Sequence, residues 1–392
     1  MVIWRAFALL SHAVPSTKSP QPQRFGPRTT LAFLLLVVLL EIWAVRATDP
    51  DFPIGDPFHV LTVLLVALFI GAAFIRQKIV RIALLTVVFA VPTLVLVAEW
   101  RLASRDVDIA NSRIALSKDG LLRFTYRPGA EVRARGNAWS MRITDDGLFD
   151  VPHAVPKPPG VVRIVLLGDS VPNEGSLPFA QRFPHLLEQL LRAAAPPGIK
   201  PEVVNVSCEG YNSIQEERLL EKVGLRYEPD LVLWTYVLND PFLQNGGFRR
   251  MGNSFFLFQF APLLLLATGG TFCDGFAYLH TDYAFDLVVR NSLERMRLIA
   301  ERDHLRVLFA TLPIVERFDN PVCMGLYDRA IAAAKDQGFT TTRVVDSFRG
   351  EDFHKYQKPG EELDVTHPNA AGHQRMAEHL AKAAAPLLWP GK

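Results

Sequence analysis

Apolar positions follow three regimes along this chain. Over residues 29–100 they run almost unbroken, in Leu31 to Val45, Phe58 to Ile75 and Ile79 to Ala98. A membrane-crossing helix needs about 20 mostly apolar residues, which the second and third stretches supply. The first is shorter and carries Glu41, a residue tolerated near an interface or inside a bundle. Arg81 falls near one end of the third stretch, and Pro92 would kink it, as membrane helices allow. About three transmembrane helices are expected. In residues 101–160 the pattern dissolves into mixed charge with Gly136, Gly147 and the run Pro156-Lys157-Pro158-Pro159-Gly160, which reads as a linker or a small β-rich neck.

From Val161 to the end, strand-like and helix-like spacing alternate. Strands are expected at Val161–Leu167, Glu202–Val206, Asp230–Val237, Leu305–Leu312 and Thr341–Val345. Helices are expected at Phe179–Ala195, Ile214–Arg226, Ala284–Arg302, Tyr327–Gln337 and Ala370–Leu387. This alternation predicts an α/β domain over residues 161–392, a mainly parallel sheet covered by helices. An insertion at about residues 241–283 interrupts it, and the apolar run Phe255 to Ala267 inside the insertion is too short for a span. That run reads either as a core-packed helix or as a membrane-dipping or lid element.

The flanking charges set an orientation for the membrane region. Residues 1–28 hold Arg5, Lys18, Arg24 and Arg28 with no acid, and Arg76, Lys78 and Arg81 surround the second junction. The first junction carries Asp49, Asp51 and Asp56. Positive charge favours the cytoplasmic side, so 1–28 is a cytoplasmic tail. Three crossings then leave everything after about Trp100 outside the cytoplasm, periplasmic or extracellular, on a multi-pass protein of the cytoplasmic membrane. Val45-Arg46-Ala47 loosely resembles a signal-peptide cleavage site, and cleavage there would still return the chain to the outside.

Composition narrows the picture in two ways. A net charge of +2 over 392 residues offers no electrostatic basis for nucleic-acid binding. The three cysteines, Cys208, Cys273 and Cys323, lack metal-like spacing, and their odd number excludes a fully paired framework. Three free thiols is the simple expectation; a Cys273–Cys323 bridge stays open for an oxidising compartment.

Candidate chemistry lies where strands end. Gly168-Asp169-Ser170 directly follows the first strand and delivers a small nucleophile to the carboxyl edge of the sheet, where ligands of such folds bind. Serine attacks carbonyls poorly unaided, and Asp364-Val365-Thr366-His367-Pro368 offers a base and a carboxylate to orient it. Gly210 follows the second strand, and Asn239-Asp240 the third. Ser170 N–H, Gly210 N–H and the Asn239 side chain could serve a developing oxyanion if those strand ends converge. Taken singly, each piece has an ordinary reading: a turn at Gly168-Asp169-Ser170 or at Asn239-Asp240-Pro241, a surface pair or helix cap at Asp364 and His367. His304, His354 and His373 have no metal-like spacing and read as surface residues.

Together, Gly168-Asp169-Ser170, Gly210, Asn239-Asp240 and Asp364-Val365-Thr366-His367 resemble, in order, the four blocks of SGNH/GDSL-type hydrolases over roughly residues 136–388. The resemblance implies a flavodoxin-like three-layer sandwich, with Ser170 as nucleophile, His367 as general base and Asp364 orienting it. Ser170, Gly210 and Asn239 would form the oxyanion hole, while Asp169 shapes the turn. No metal and no cofactor are implied. The chain departs from the pattern at Val237, where a glycine often precedes the asparagine by two. It departs again at Gly175, one place later than usual with Pro172 between. The expected activity is that of an extracytoplasmic serine esterase or O-acyltransferase on acyl esters, acetyl esters of envelope glycans first and lipid esters second. A silent glycan-binding subunit of the same fold is the alternative.

Overall fold

The chain divides into two units, residues Met1–Thr48 with Val60–Pro92, and Asp49–His59 with Thr93–Lys392. The computed structural model describes residues 113–133, 139–242, 270–361 and 364–390, all in the second unit, and Thr86 in the first. Thr86 apart, the three N-terminal apolar stretches and the run Phe255 to Ala267 lie outside the described residues. Among the described residues no helix is long and apolar enough to cross a membrane.

Two small antiparallel hairpins come first. β1 (Ile114–Leu116) pairs with β2 (Phe124–Tyr126), and β3 (Glu131–Arg133) with β4 (Ser140–Arg142). The alternating domain follows as β5 (Val161–Leu167), α1 (Phe183–Ala194), β6 (Lys200–Asn205), α2 (Ser213–Lys222) and β7 (Leu231–Tyr236). It continues with α3 (Phe272–Leu279), α4 (Asn291–Arg302), β8 (Val307–Thr311), α5 (Pro321–Asp336), β9 (Thr340–Arg343) and α6 (Ala370–Leu388). A π-helical stretch, Phe285–Arg290, leads directly into α4.

β5 to β9 form one parallel sheet in the order β6-β5-β7-β8-β9. Every residue of β7 and β8 is buried, and only Val162 of β5 is partly open. Burial on both faces is why these strands read as continuous apolar runs rather than alternating ones. The chain steps one way from β5 to β6 and the other way from β6 to β7. Right-handed crossovers therefore put α1 and α2 on opposite faces of the sheet, and later steps keep the direction of the second. In agreement, α1 packs against α6, while α2 packs against α4. The expected α/β architecture with a parallel sheet is observed. Its order reverses between β5 and β7, the switch point at which ligands of such sheets bind.

Residues 113–153 are more than a spacer. Leu122, Phe124, Tyr126, Val132, Ile143, Leu148 and Phe149 are buried in the same core as the sheet. Burying a large apolar side chain contributes about 1.5–3 kcal/mol, so several of them hold this segment firmly. Arg182, ahead of α1, sets its guanidinium over the rings of Trp139 and Phe149 at 4.7 and 4.3 Å.

Two expectations need correction. Cys273 and Cys323 are joined in a disulfide, and only Cys208 is free. The helix α3 folds residues 272–279 back beside α5, and this tertiary approach of their N-terminal ends brings the two thiols together. His373 is fully buried, because it lies on the face of α6 turned to α1 and accepts a hydrogen bond from Phe183 N at 3.1 Å. Its burial pushes its pKa down to about 3, so it is neutral. His304 and His354 are exposed, as expected.

Candidate active site

β5 ends at Leu167, and Gly168 begins a turn with no room for a side chain. A Cβ there would come within 2.4 Å of Thr235 Oγ1 and 2.7 Å of Pro172 Cγ. Thr235, on the neighbouring β7, donates its hydroxyl to Leu167 O at 2.6 Å. The turn thus presses the nucleophile segment against the adjacent strand. Asp169 Oδ1 accepts from Val171 N at 3.0 Å, which closes the turn and leaves Ser170 at the sheet edge.

His367 reaches Ser170 from the opposite end of the domain. Its loop immediately precedes α6, whose first turn is capped by Asn369, with Oδ1 accepting from Ala371 N and Gly372 N. Nε2 of His367 lies 2.7 Å from Ser170 Oγ. Nδ1 lies 2.8 and 3.0 Å from Asp364 Oδ1 and Oδ2, and His367 N donates to Asp364 Oδ1 at 3.2 Å. With Asp364 ionised, Nδ1 carries the proton, and Nε2 is left to accept from the serine hydroxyl. About a quarter of the Asp364 and His367 side chains stays open, 28% and 26%, so a substrate can approach.

The charges suit that tautomer. Burial works against ionisation of Asp364, but the hydrogen bond and charge of His367, followed by those of Lys358, outweigh it. The carboxyl is held well below its usual range. Burial likewise acts to lower the His367 pKa, and the hydrogen bond and charge of Asp364 outweigh it, with Glu174 and Asp169 adding to the effect. The imidazole pKa is raised above 6.5.

The other two oxyanion candidates lie in the loops after the two strands flanking β5. Asn239 follows β7 and donates from Nδ2 to Asp169 Oδ2 at 3.0 Å. An amide nitrogen carries two protons, so this bond aims the group while sparing one of them. Asp169 therefore does more than shape its turn; it also positions Asn239. Gly210 follows β6 with φ at +73°, a conformation glycine adopts freely. Its loop is pinned to the nucleophile turn by Cys208 N donating to Gly168 O at 3.2 Å. Asp240 is buried beneath these groups with Glu216, which accepts from Trp234 Nε1 at 2.7 Å. Burial, reinforced by nearby carboxylates, pushes both carboxyls well up.

The N-terminal hairpins buttress this loop, which the sequence did not announce. Tyr126 Oη accepts from Asn173 Nδ2 at 3.1 Å and from Glu209 N at 3.3 Å. Tyr211 Oη donates to Phe124 O, Gln215 Nε2 donates to Leu122 O at 2.8 Å, and Arg113 pairs with Glu209. Asn173, three residues after Ser170, also donates to Ser207 O at 2.9 Å and accepts from Asn205 Nδ2 at 2.7 Å. Lys358 and Glu174 are two further neighbours of the triad that sequence reasoning missed. No local pattern marks them, since their contacts exist only once distant segments meet. Among the described residues, no group of three or more His, Cys, Asp or Glu side chains could hold a metal ion.

No protein-family profile matches the chain, and no curated protein matches it. Solved structures do resemble it. TesA is 19% identical over 58% of this chain and 99% of its own, with a TM-score of 0.38. LAE5, an alpha/beta hydrolase enzyme from the metagenome of Lake Arreo, Spain, is 18% identical over 58% of this chain and 96% of its own, with a TM-score of 0.39. A variant of Axe2, an acetyl xylan esterase from Geobacillus stearothermophilus, is 16% identical over 57% of this chain and 94% of its own, with a TM-score of 0.39. The chemistry open to this site is set by its own atoms.

Proposed function

We propose that this chain is a membrane-anchored serine esterase or O-acyltransferase, with its catalytic domain outside the cytoplasm. The observation that carries this reading is the unbroken hydrogen-bonded line from Ser170 Oγ through His367 to Asp364, at 2.7 and 2.8 Å. In the forward step Ser170 Oγ attacks the ester carbonyl while His367 Nε2 takes its proton. The carbonyl oxygen becomes an oxyanion facing Ser170 N–H, Gly210 N–H and Asn239 Nδ2. Collapse breaks the bond to the alcohol, which leaves with the proton from His367, and Ser170 keeps the acyl group. A water or sugar hydroxyl, deprotonated by His367, then attacks that acyl group, and His367 returns the proton to Ser170 Oγ as its bond to the acyl group breaks. No residue in these steps calls for a metal or a cofactor.

Acetyl esters of envelope glycans are the proposed substrates, because the anchor would hold the site beside them. Lipid esters are the second reading, favoured by the apolar run Phe255 to Ala267 between Asn239 and Asp364 in the chain. A silent glycan-binding subunit would have no use for the assembled triad.

Two independent observations support the location. The basic flanks at 1–28 and 76–81, against acids at 49–56, orient three crossings with the C-terminal domain outside. The Cys273–Cys323 bridge is of a kind that persists in oxidising compartments and is rare in the cytosol. A reporter active only outside the cytoplasm is therefore expected to work when fused after Lys392 and to fail when fused at Lys78. The reverse pattern would put Ser170 in the cytoplasm and exclude envelope glycans, while leaving the ester chemistry untouched.

A further inference from the structure

We infer that Lys358 is a positioning residue of the triad, a half-buried ammonium that clamps Asp364 and ties the nucleophile segment to the base loop. This deepens the serine-hydrolase reading and rests on it. Lys358 Nζ lies 2.6 Å from Asp364 Oδ2, 3.0 Å from Glu361 Oε2 and 3.6 Å from Glu174 Oε2, and its side chain is only 11% exposed. Glu174 belongs to the turn that carries Ser170. Its other oxygen accepts from Ser176 N at 2.9 Å, which leaves Oε2 facing the ammonium. One cation thus meets carboxylates from two segments that contribute opposite ends of the triad.

The arrangement has two consequences. Asp364 Oδ2 is shared between Lys358 at 2.6 Å and His367 Nδ1 at 3.0 Å, so the carboxylate cannot rotate without losing one partner. Part of its charge is also neutralised by the ammonium, which tempers its hold on a protonated imidazole. The groups facing His367 are Asp364 on its own loop, Asp169 and Glu174 from the nucleophile segment, and neutral His373 from α6. Burial acts to lower the Lys358 pKa, but Asp364, Glu174 and Glu361 outweigh it. The pKa is raised, and Lys358 stays charged wherever His367 titrates.

The sign of the effect follows. His367 must be neutral to accept the serine proton, so reaction at Ser170 rises with pH through the His367 pKa, with its midpoint above 6.5 in the native chain. Removing the ammonium exposes the whole Asp364 charge to the imidazole and raises that pKa further. The test follows the rate of fluorophosphonate labelling at Ser170 against pH, in the full-length chain and in Lys358→Met and Lys358→Arg. In Lys358→Met the rising limb should move up by roughly 0.5–1 pH unit, with a plateau about tenfold lower as Asp364 and His367 lose alignment. Lys358→Arg keeps the charge and should return the limb to within about 0.3 unit of the native one. Where Lys358→Met does not fold, Lys358→Gln is read in the same way. An unmoved limb and an unchanged plateau, with only a lower melting temperature, would make Lys358 an ordinary loop salt bridge and overturn the inference. A native chain that does not label at Ser170 would instead overturn the hydrolase reading itself.

Discussion

Replacing Ser170 by Ala, or His367 by Ala, is expected to cut ester turnover by roughly 10⁵–10⁶-fold, and the double replacement should cost little more than either alone. The reason is mechanical. Ser170 Oγ and His367 Nε2 share one hydrogen bond of 2.7 Å, and the proton crossing it is the one that must leave for the acyl bond to form. Without the hydroxyl there is no covalent route. Without the imidazole the hydroxyl keeps its proton, so each loss removes the same step. Asp364→Asn should be milder, about 10⁴-fold, because it disturbs the tautomer and the alignment of His367 while leaving nucleophile and base present. Turnover of an activated acetyl ester by the purified full-length chain reads all three. A native rate in Ser170→Ala would remove the nucleophile assignment.

Asn239→Ala is expected to lower kcat by roughly 10²–10³-fold with a much smaller change in KM. Its amide is held on Asp169 at 3.0 Å, and the remaining N–H is the only side-chain donor assigned to the oxyanion. A ground-state carbonyl demands little of such a donor, whereas the negative oxygen of the tetrahedral intermediate demands much. The loss therefore falls on the transition state. Steady-state kinetics separate the outcomes, since a change confined to KM would make Asn239 a substrate-binding residue.

Much of this site was legible in the sequence, and the reasons are local. β5, β7 and β8 are buried on both faces, so they read as plain apolar runs, and the observed strands fall within a residue or two of the expected ones. Ser170 and Asn239 come soon after the β5 and β7 runs, Gly210 lies in the loop after β6, and the topology of a parallel sheet brings those ends to one edge. α5 was harder. Apolar spacing suggested a start at Tyr327, but the helix begins at Pro321, where Asn320 caps it by accepting from Val322 N at 3.0 Å. Proline in a first turn is pre-set for helix, and that signal outweighs periodicity.

Other features depend on contacts that no local pattern encodes. The strands β1 to β4 are three residues each, too short to show alternation, and they are held by side-chain bonds such as Tyr126 to Asn173. His373 looked like a surface histidine because its partner, Phe183 N, lies 190 residues away. The bridge between Cys273 and Cys323 depends on α3 folding back across a separation of 50 residues. No local pattern marks Lys358, whose meeting with Glu174 requires the finished fold.

Covalent labelling of the folded full-length chain by a fluorophosphonate, with the adduct mapped by peptide mass spectrometry, tests the central claim most directly. The reagent reacts with a serine only where a base activates it and donors receive the developing charge. One adduct on Ser170 is expected, lost when the chain is denatured beforehand and lost in His367→Ala. An unlabelled Ser170, or an adduct formed equally well in His367→Ala, would contradict the account.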